Sequence, residues 1–128
     1  MSNPTVAILG ASTDRAKFGN KSVRAHLRAG YDVYPVNPKA GTIEGCSAYA
    51  SLREIPVDRL DRISIYLPPA VGMSVLPEIA AAQAGEVWFN PGSATGALLD
   101  KARELGINVI SGCSIVDLGL SPREFPDD

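Results

Sequence analysis

The sequence predicts an α/β fold: one domain built on a doubly wound, mainly parallel sheet of five strands. Three observations carry this. Short apolar runs recur five times along the 128 residues. Between them lie segments of helical spacing or dense turn formers, the alternation of a parallel βαβ sheet. The first run, Val6-Ala-Ile-Leu9, also stops abruptly in Gly10-Ala-Ser12, as a buried strand does where it opens into an anion-binding loop.

Strand one is read over residues 5–9. A helix over residues 20–29 follows, closed by Gly30, with Val23 and Leu27 facing the sheet at i and i+4. Strand two covers residues 32–36. Residues 38–62 are less regular, with a short helix capped by Ser51 and stopping before Pro56. Strand three is read over residues 62–67, ending in Pro68-Pro69. The helical region after it runs to Gln83, with a break expected at Pro77. Strand four covers residues 86–89. Thr95 caps the next helix, whose apolar face is Leu98, Ala102 and Leu105, and strand five covers residues 107–110. Residues 111–128 read as a covering tail, frayed over 119–128.

Composition bounds the function. The length suits a single domain (residues 1–128) with a real core. A net charge of −2 argues against nucleic-acid binding. The charge is uneven: residues 1–39 carry +4 and residues 40–128 carry −6. The positive portion holds the glycine loop, which suits an anionic ligand. Cys46 and Cys113 lack metal-ligand spacing and there is one histidine, so no metal site is expected. Two unpaired thiols fit a reducing cytoplasm. No leader and no apolar stretch of spanning length is read, so no membrane association is expected.

In an open α/β sheet, ligands sit at the carboxyl ends of the strands. The loops gathered there are 10–19, 37–41, 68–72, 90–95 and 111–114. Gly10, Ala11 and Ser12 form the candidate phosphate loop, although neither GxGxxG nor a P-loop is present. Arg15, Lys17 and Lys21 follow as candidate cations. Strand two ends in Asn37-Pro38-Lys39, where a nicotinamide-binding domain places an acid for a ribose hydroxyl. The absent acid argues against NAD, while Lys39 leaves NADP open through its 2′-phosphate.

Five segments in order carry a family resemblance: Val6-Ala-Ile-Leu-Gly-Ala-Ser12, Lys17-Phe-Gly19, Val33-Tyr-Pro-Val-Asn-Pro-Lys39, Ile65-Tyr-Leu-Pro-Pro69 and Val87-Trp-Phe-Asn-Pro-Gly92. The chain resembles the stand-alone CoA-binding proteins, whose fold is shared with the N-terminal domain of the succinyl-CoA synthetase α subunit. The resemblance implies a Rossmann-like sheet of strand order 3-2-1-4-5 and binding of coenzyme A or an acyl-CoA. It implies that Gly10, Ala11 and Ser12 meet the CoA phosphates; Arg15, Lys17 and Gly19 of the same loop are counted with them as candidate binding residues. Asn37, Pro38 and Lys39 would lie along the nucleotide, Leu67 and Pro68 at the adenine end, and Asn90, Pro91 and Gly92 near the pantetheine arm. Relatives carry Arg-Cys and a glutamate near the end, where this chain has Gly112-Cys113 and Asp117.

No catalytic residue is assigned. His26 reads as a partly exposed mid-helix residue away from the ligand edge. Ser12 and Ser93 lack a histidine partner. Asp58 and Asp61 read as solvated. Cys113, on the ligand edge, could meet a CoA thiol only with a lowered pKa, and an inert cysteine is the favoured reading. A non-catalytic CoA-binding module is therefore expected. The competing readings are a small NAD(P)-binding oxidoreductase-type domain and a regulatory subunit acting through a protein partner. A Gly10→Val change is expected to displace phosphate while sparing most of the fold.

Overall fold

The computed structural model describes residues 2–128. Strand β1 (Thr5–Leu9) is central, pairing in parallel with β2 (Asp32–Val36) on one side and β5 (Arg62–Ile65) on the other. Strands β6 (Glu86–Phe89) and β7 (Val109–Ser111) extend the parallel sheet, giving the order β2-β1-β5-β6-β7. Between β2 and β5 lies a two-stranded ribbon, β3 (Thr42–Ile43) and β4 (Cys46–Ser47). It turns at Glu44-Gly45, both at positive φ, the conformation whose twist matches a tight hairpin.

After the ribbon the chain returns to the sheet at Tyr49, which forms one parallel bridge with Val36. Counted with that rung as the third strand, the sheet follows the expected 3-2-1-4-5 pattern, with β7 added at the far edge. The segment 62–67, read as the third strand, is thus the one beside β1. The third position is held by Tyr49, whose N–H donates to Pro35 O at 2.9 Å.

Both faces of the sheet are covered, as its unbroken apolar strands require. Ala7, Leu9, Ile63, Ile65 and Phe89 pack under helices α2 (Pro69–Ala82) and α3 (Gly96–Glu104). Val6, Ile8 and Val33 face the other way, onto Val23 of α1 (Phe18–Arg28). The short helix α4 (Ser114–Asp117) shares that second face, with Ile115 and Phe125 buried against Ala25 of α1. Alternation along β1 therefore serves two cores at once.

Several expectations change. The buried stripe of α1 runs Gly19, Val23, His26, so Leu27 is 40% exposed. In α3, Leu98 and Ala102 are buried but Leu105 is 38% exposed. Helix α2 continues through Pro77 without a break. Pro77 and Met73, whose carbonyl loses its donor, lie on the exposed face of the helix, while Leu76 and Ile79 anchor it to the sheet. Thr95 caps α3 as expected, accepting from Leu98 N at 3.2 Å. Ser51 precedes a single 3-10 turn (Leu52–Glu54), but its side chain makes no capping bond. Asp61 is not simply solvated: its carboxylate accepts from Thr5 N at 2.8 Å, tying the start of β1 to that of β5.

The segment 119–128, expected to fray, packs on α1. Phe125 is buried, with the Arg28 guanidinium 4.5 Å from its ring centroid. Lys21 pairs with Asp127 at 2.6 Å, and Arg24 donates to Pro126 O at 3.0 Å. The apolar Phe125 supplies the anchor that the acidic composition of the tail obscures.

Candidate functional site

The site begins where β1 stops. Gly10 adopts φ +82, a conformation that side-chain-bearing residues avoid. A Cβ there would stand 2.6 Å from the Tyr66 carbonyl oxygen. On the other side, a Cβ on Gly19 would collide with the Gly10 carbonyl oxygen. The loop is thus wedged between the end of β5 and the first turn of α1. The earlier expectation for Gly10→Val fails here, because the bulk would meet backbone before it met a ligand.

The rest of the loop is tied down. Ser12 Oγ accepts from Asp14 N at 3.0 Å, and its carbonyl accepts from Asn20 Nδ2 at 2.9 Å. Among the described residues, no hydrogen bond takes up the backbone N–H of Ala11, Phe18 or Gly19. These are the donors that a loop and a helix N-terminus offer to an anion.

Asn37 shapes the second loop. Its Nδ2 donates to Ala11 O at 2.9 Å, while its Oδ1 accepts from Lys39 N at 2.8 Å. The amide is spent on joining the two loops, and Pro38 and Lys39 remain exposed at the rim. Neither Lys39 nor Lys17 enters an ion pair among the described residues.

Two recesses meet at Gly10 and Leu67. One, about 280 Å³, runs beside Asn37, Pro38 and Lys39 into an apolar interior of Leu9, Val36, Leu52 and Val75, with Glu78 among its walls. The other, about 400 Å³, passes Lys17, Gly19, Pro68, Pro91 and Gly92. Together they make one groove along the carboxyl edge of the sheet. In the loop after β6, Ser93 N donates to Asn90 O at 2.9 Å with Gly92 at φ +92, the geometry of a Pro-Gly type II turn.

Most residues expected at the site line this groove: Gly10, Ala11, Lys17, Gly19, Asn37, Pro38, Lys39, Leu67, Pro68, Pro91 and Gly92. Ser12, Arg15 and Asn90 line neither recess. Arg15 instead pairs with Glu44 at 3.3 Å and donates to Asp128 O at 2.8 Å. Asn90 is 1% exposed. Its Nδ2 donates to Ser64 Oγ and Ile65 O, and its Oδ1 accepts from Ser114 N at 2.9 Å. It fixes the floor of the site rather than its surface. Sequence reading missed Ser51 and Leu52, which follow the Tyr49 bridge, and Val71, Val75 and Glu78 on α2. The i, i+4, i+7 spacing of the last three was a usable signal. The placement of residues 50–52 depends on the Tyr49 bridge and had none.

The titratable groups outside the groove have structural settings. His26, expected to be partly exposed, is fully buried. Its Nδ1 lies 2.8 Å from Ser22 O and its Nε2 3.5 Å from the Arg62 guanidinium, so the neutral ring donates from Nδ1. Burial pushes its pKa down to about 4. Arg62, itself 5% exposed, is held by Asp117 at 2.6 Å and Glu86 at 2.9 Å, with the Trp88 ring over it. Asp117 is therefore the partner of a buried arginine. Burial, reinforced by Glu44, raises the Cys46 thiol pKa. Cys113 is half-buried at the start of α4, beside Ala25, Ile115 and Phe125. Among the described residues, no group of His, Cys, Asp or Glu is placed to hold a metal, and no helix is long and apolar enough to cross a membrane.

A parallel sheet with glycine-dependent loops and a groove at its carboxyl edge defines a nucleotide-binding α/β domain. The chain belongs to the CoA binding domain family, which matches residues 4–119. A conserved hypothetical protein from Pyrococcus furiosus is 34% identical, with a TM-score of 0.79 over 91% of this chain and 99% of that one. A Thermus thermophilus protein is 32% identical at a TM-score of 0.81, over 90% of this chain and 87% of that one. The dinucleotide-forming acetyl-coenzyme A synthetase 1 of Ca. Korarchaeum cryptofilum is 25% identical at a TM-score of 0.70, over 84% of this chain and 26% of the enzyme.

Proposed function

We propose that this chain binds coenzyme A, free or acylated, along the groove and does so without turning it over. The observation that carries the reading is the continuity of the groove across Gly10. An apolar recess suited to a base lies on one side and an open trough suited to the pantetheine arm on the other. The pyrophosphate sits at their junction, beside the unpartnered N–H groups of Ala11, Phe18 and Gly19. Lys39 meets the ribose 3′-phosphate as a point charge at the rim, and Lys17 lies beside the pyrophosphate. These cations offset the mismatch between a polyanionic ligand and a protein of net charge −2.

The module reading follows from what faces the groove. Ser93 lines the trough, but no histidine lines either recess to activate it. His26 is spent on Ser22 and Arg62 in the other core. Calorimetry with CoA, dephospho-CoA, NADP, NAD and ATP tests the ligand. CoA is expected to bind tightest; tighter NAD or NADP would overturn the reading in favour of an oxidoreductase-type domain. Hydride transfer or acyl-CoA ligation by the isolated chain would overturn the non-catalytic part.

A further inference from the structure

We infer that Glu78, assisted by Ser51, reads the exocyclic amino group of an adenine base in the apolar recess. The inference rests on the CoA reading above and assigns the residues that select its base. Val71, Val75 and Glu78 fall at i, i+4, i+7 on one face of α2, and all three line the recess. At 1.5 Å of rise per residue, Glu78 lies about 10 Å along the axis from Val71, near the start of the helix. Glu78 therefore lines the recess about two turns along α2 from Val71, beside walls formed by Leu9, Val36 and Leu52.

The Glu78 side chain is 20% exposed, and its ion pair with the exposed Arg53 is long, at 3.9 Å. A carboxylate offers about four lone-pair sites, so acceptor capacity remains. The other polar side chains of the recess are Asn37, Lys39 and Ser51. The amide of Asn37 is consumed by the loops, and Lys39 is at the rim. Ser51 makes no capping bond. What remains is a carboxylate acceptor and a hydroxyl donor. An adenine edge presents the complement, an amine donor beside a ring-nitrogen acceptor. Hypoxanthine and guanine place a carbonyl oxygen at the same position, where it would face carboxylate lone pairs. A polar site left unmatched by the wrong base rejects it strongly.

The test compares CoA with its 6-oxo analogue, in which hypoxanthine replaces adenine, by calorimetry. The wild-type chain is expected to prefer CoA by about tenfold to a hundredfold, the range for a hydrogen bond to a charged group. Glu78→Gln should weaken CoA binding and reduce the preference to within about threefold, because an amide can turn either a donor or an acceptor to the base. Arg53→Ala, which removes only the exposed partner, should keep the preference. Absence of any preference in the wild-type chain, or an unchanged preference in Glu78→Gln, would overturn the assignment. The wild-type comparison stands even if the variant folds poorly. Failure of the wild-type chain to bind CoA at all would overturn the CoA reading itself; CoA binding without base preference would remove only the role of Glu78.

Discussion

Gly19 packs so closely on the carbonyl oxygen of Gly10 that a Cβ on Gly19 would collide with it. Gly10 is additionally confined by Tyr66 O and by its positive φ. The two glycines, nine positions apart, thus bring the end of β1 and the first turn of α1 together. The N–H groups of Ala11, Phe18 and Gly19 at this junction take no partner among the described residues.

Gly19→Ala should therefore act on fold and ligand together. Overpacking of this kind costs about 1–3 kcal/mol. A lowered melting temperature with weakened CoA binding is expected. Gly10→Val should be the more damaging, since it adds backbone strain to the collision. A Gly10→Val chain with wild-type melting behaviour would show that the loop yields more easily than its contacts indicate.

Lys39 should read the 3′-phosphate. Loss of one charge-assisted contact costs roughly 1.5–3 kcal/mol, about ten- to a hundredfold in affinity. Lys39→Ala should weaken CoA by that factor and dephospho-CoA very little. Titration calorimetry with both ligands checks it. Equal losses would move the assignment to Lys17, the other cation at the groove without an ion pair.

Asn90→Ala should behave as a stability mutation. It strands the buried Ser114 N–H and removes two donors from the end of β5. An unsatisfied buried polar group costs about 1–3 kcal/mol, and the Ser114 N–H is the one stranded here, since Ser64 Oγ keeps Ser114 Oγ and Ile65 O keeps the Asn90 N–H. Denaturant unfolding should show the loss. CoA affinity, measured on the folded fraction at low temperature, should fall far less than in Lys39→Ala.

Phe125→Ala tests the tail. Truncating a buried phenylalanine costs about 3–5 kcal/mol, and here it also removes the ring beneath Arg28. Loss of that order in urea unfolding is expected. A change within about 0.5 kcal/mol, the scale of a surface substitution, would mean that the tail contributes little to the fold.

His26 should impose a pH dependence. Its pKa is lowered from an ordinary 6.5 to about 4 in the folded chain, chiefly by burial. The unfolded chain therefore takes up a proton first as pH falls. The stability linked to neutral His26 is complete above pH 6.5, declines from 6.5 towards 4, and changes no further below that. The shift corresponds to roughly 3 kcal/mol across the window. Urea unfolding at pH 7, 5.5 and 4.5 should show the decline, and His26→Leu should remove this component of the slope while lowering stability at pH 7.

The groove was largely legible in the sequence because its residues sit where strands end. Gly10, Asn37, Leu67 and Pro91 each lie within two residues of a strand's end, and a parallel sheet brings all such ends to one edge. Lys39 and Pro38 were legible for the same reason. Arg15 and Asn90 were misplaced because position along the chain does not say which way a side chain turns. Arg15 turns to Glu44 and the tail, and Asn90 turns inward to Ser64 and Ser114.

By itself, the sequence determined the alternation of strands and helices, the parallel sheet and the edge that holds the groove. Those follow from local periodicity and from the handedness of crossovers, which act on neighbouring residues. Only the tertiary structure decided what long-range contact controls. It placed Tyr49 as the third rung of the sheet and turned His26 inward against Arg62. It sealed the acidic tail onto α1 through Phe125 and brought Ser51 and Glu78 to one recess. Each joins residues distant in sequence or sets which face of a helix is buried, and periodicity along the chain carries no term for either.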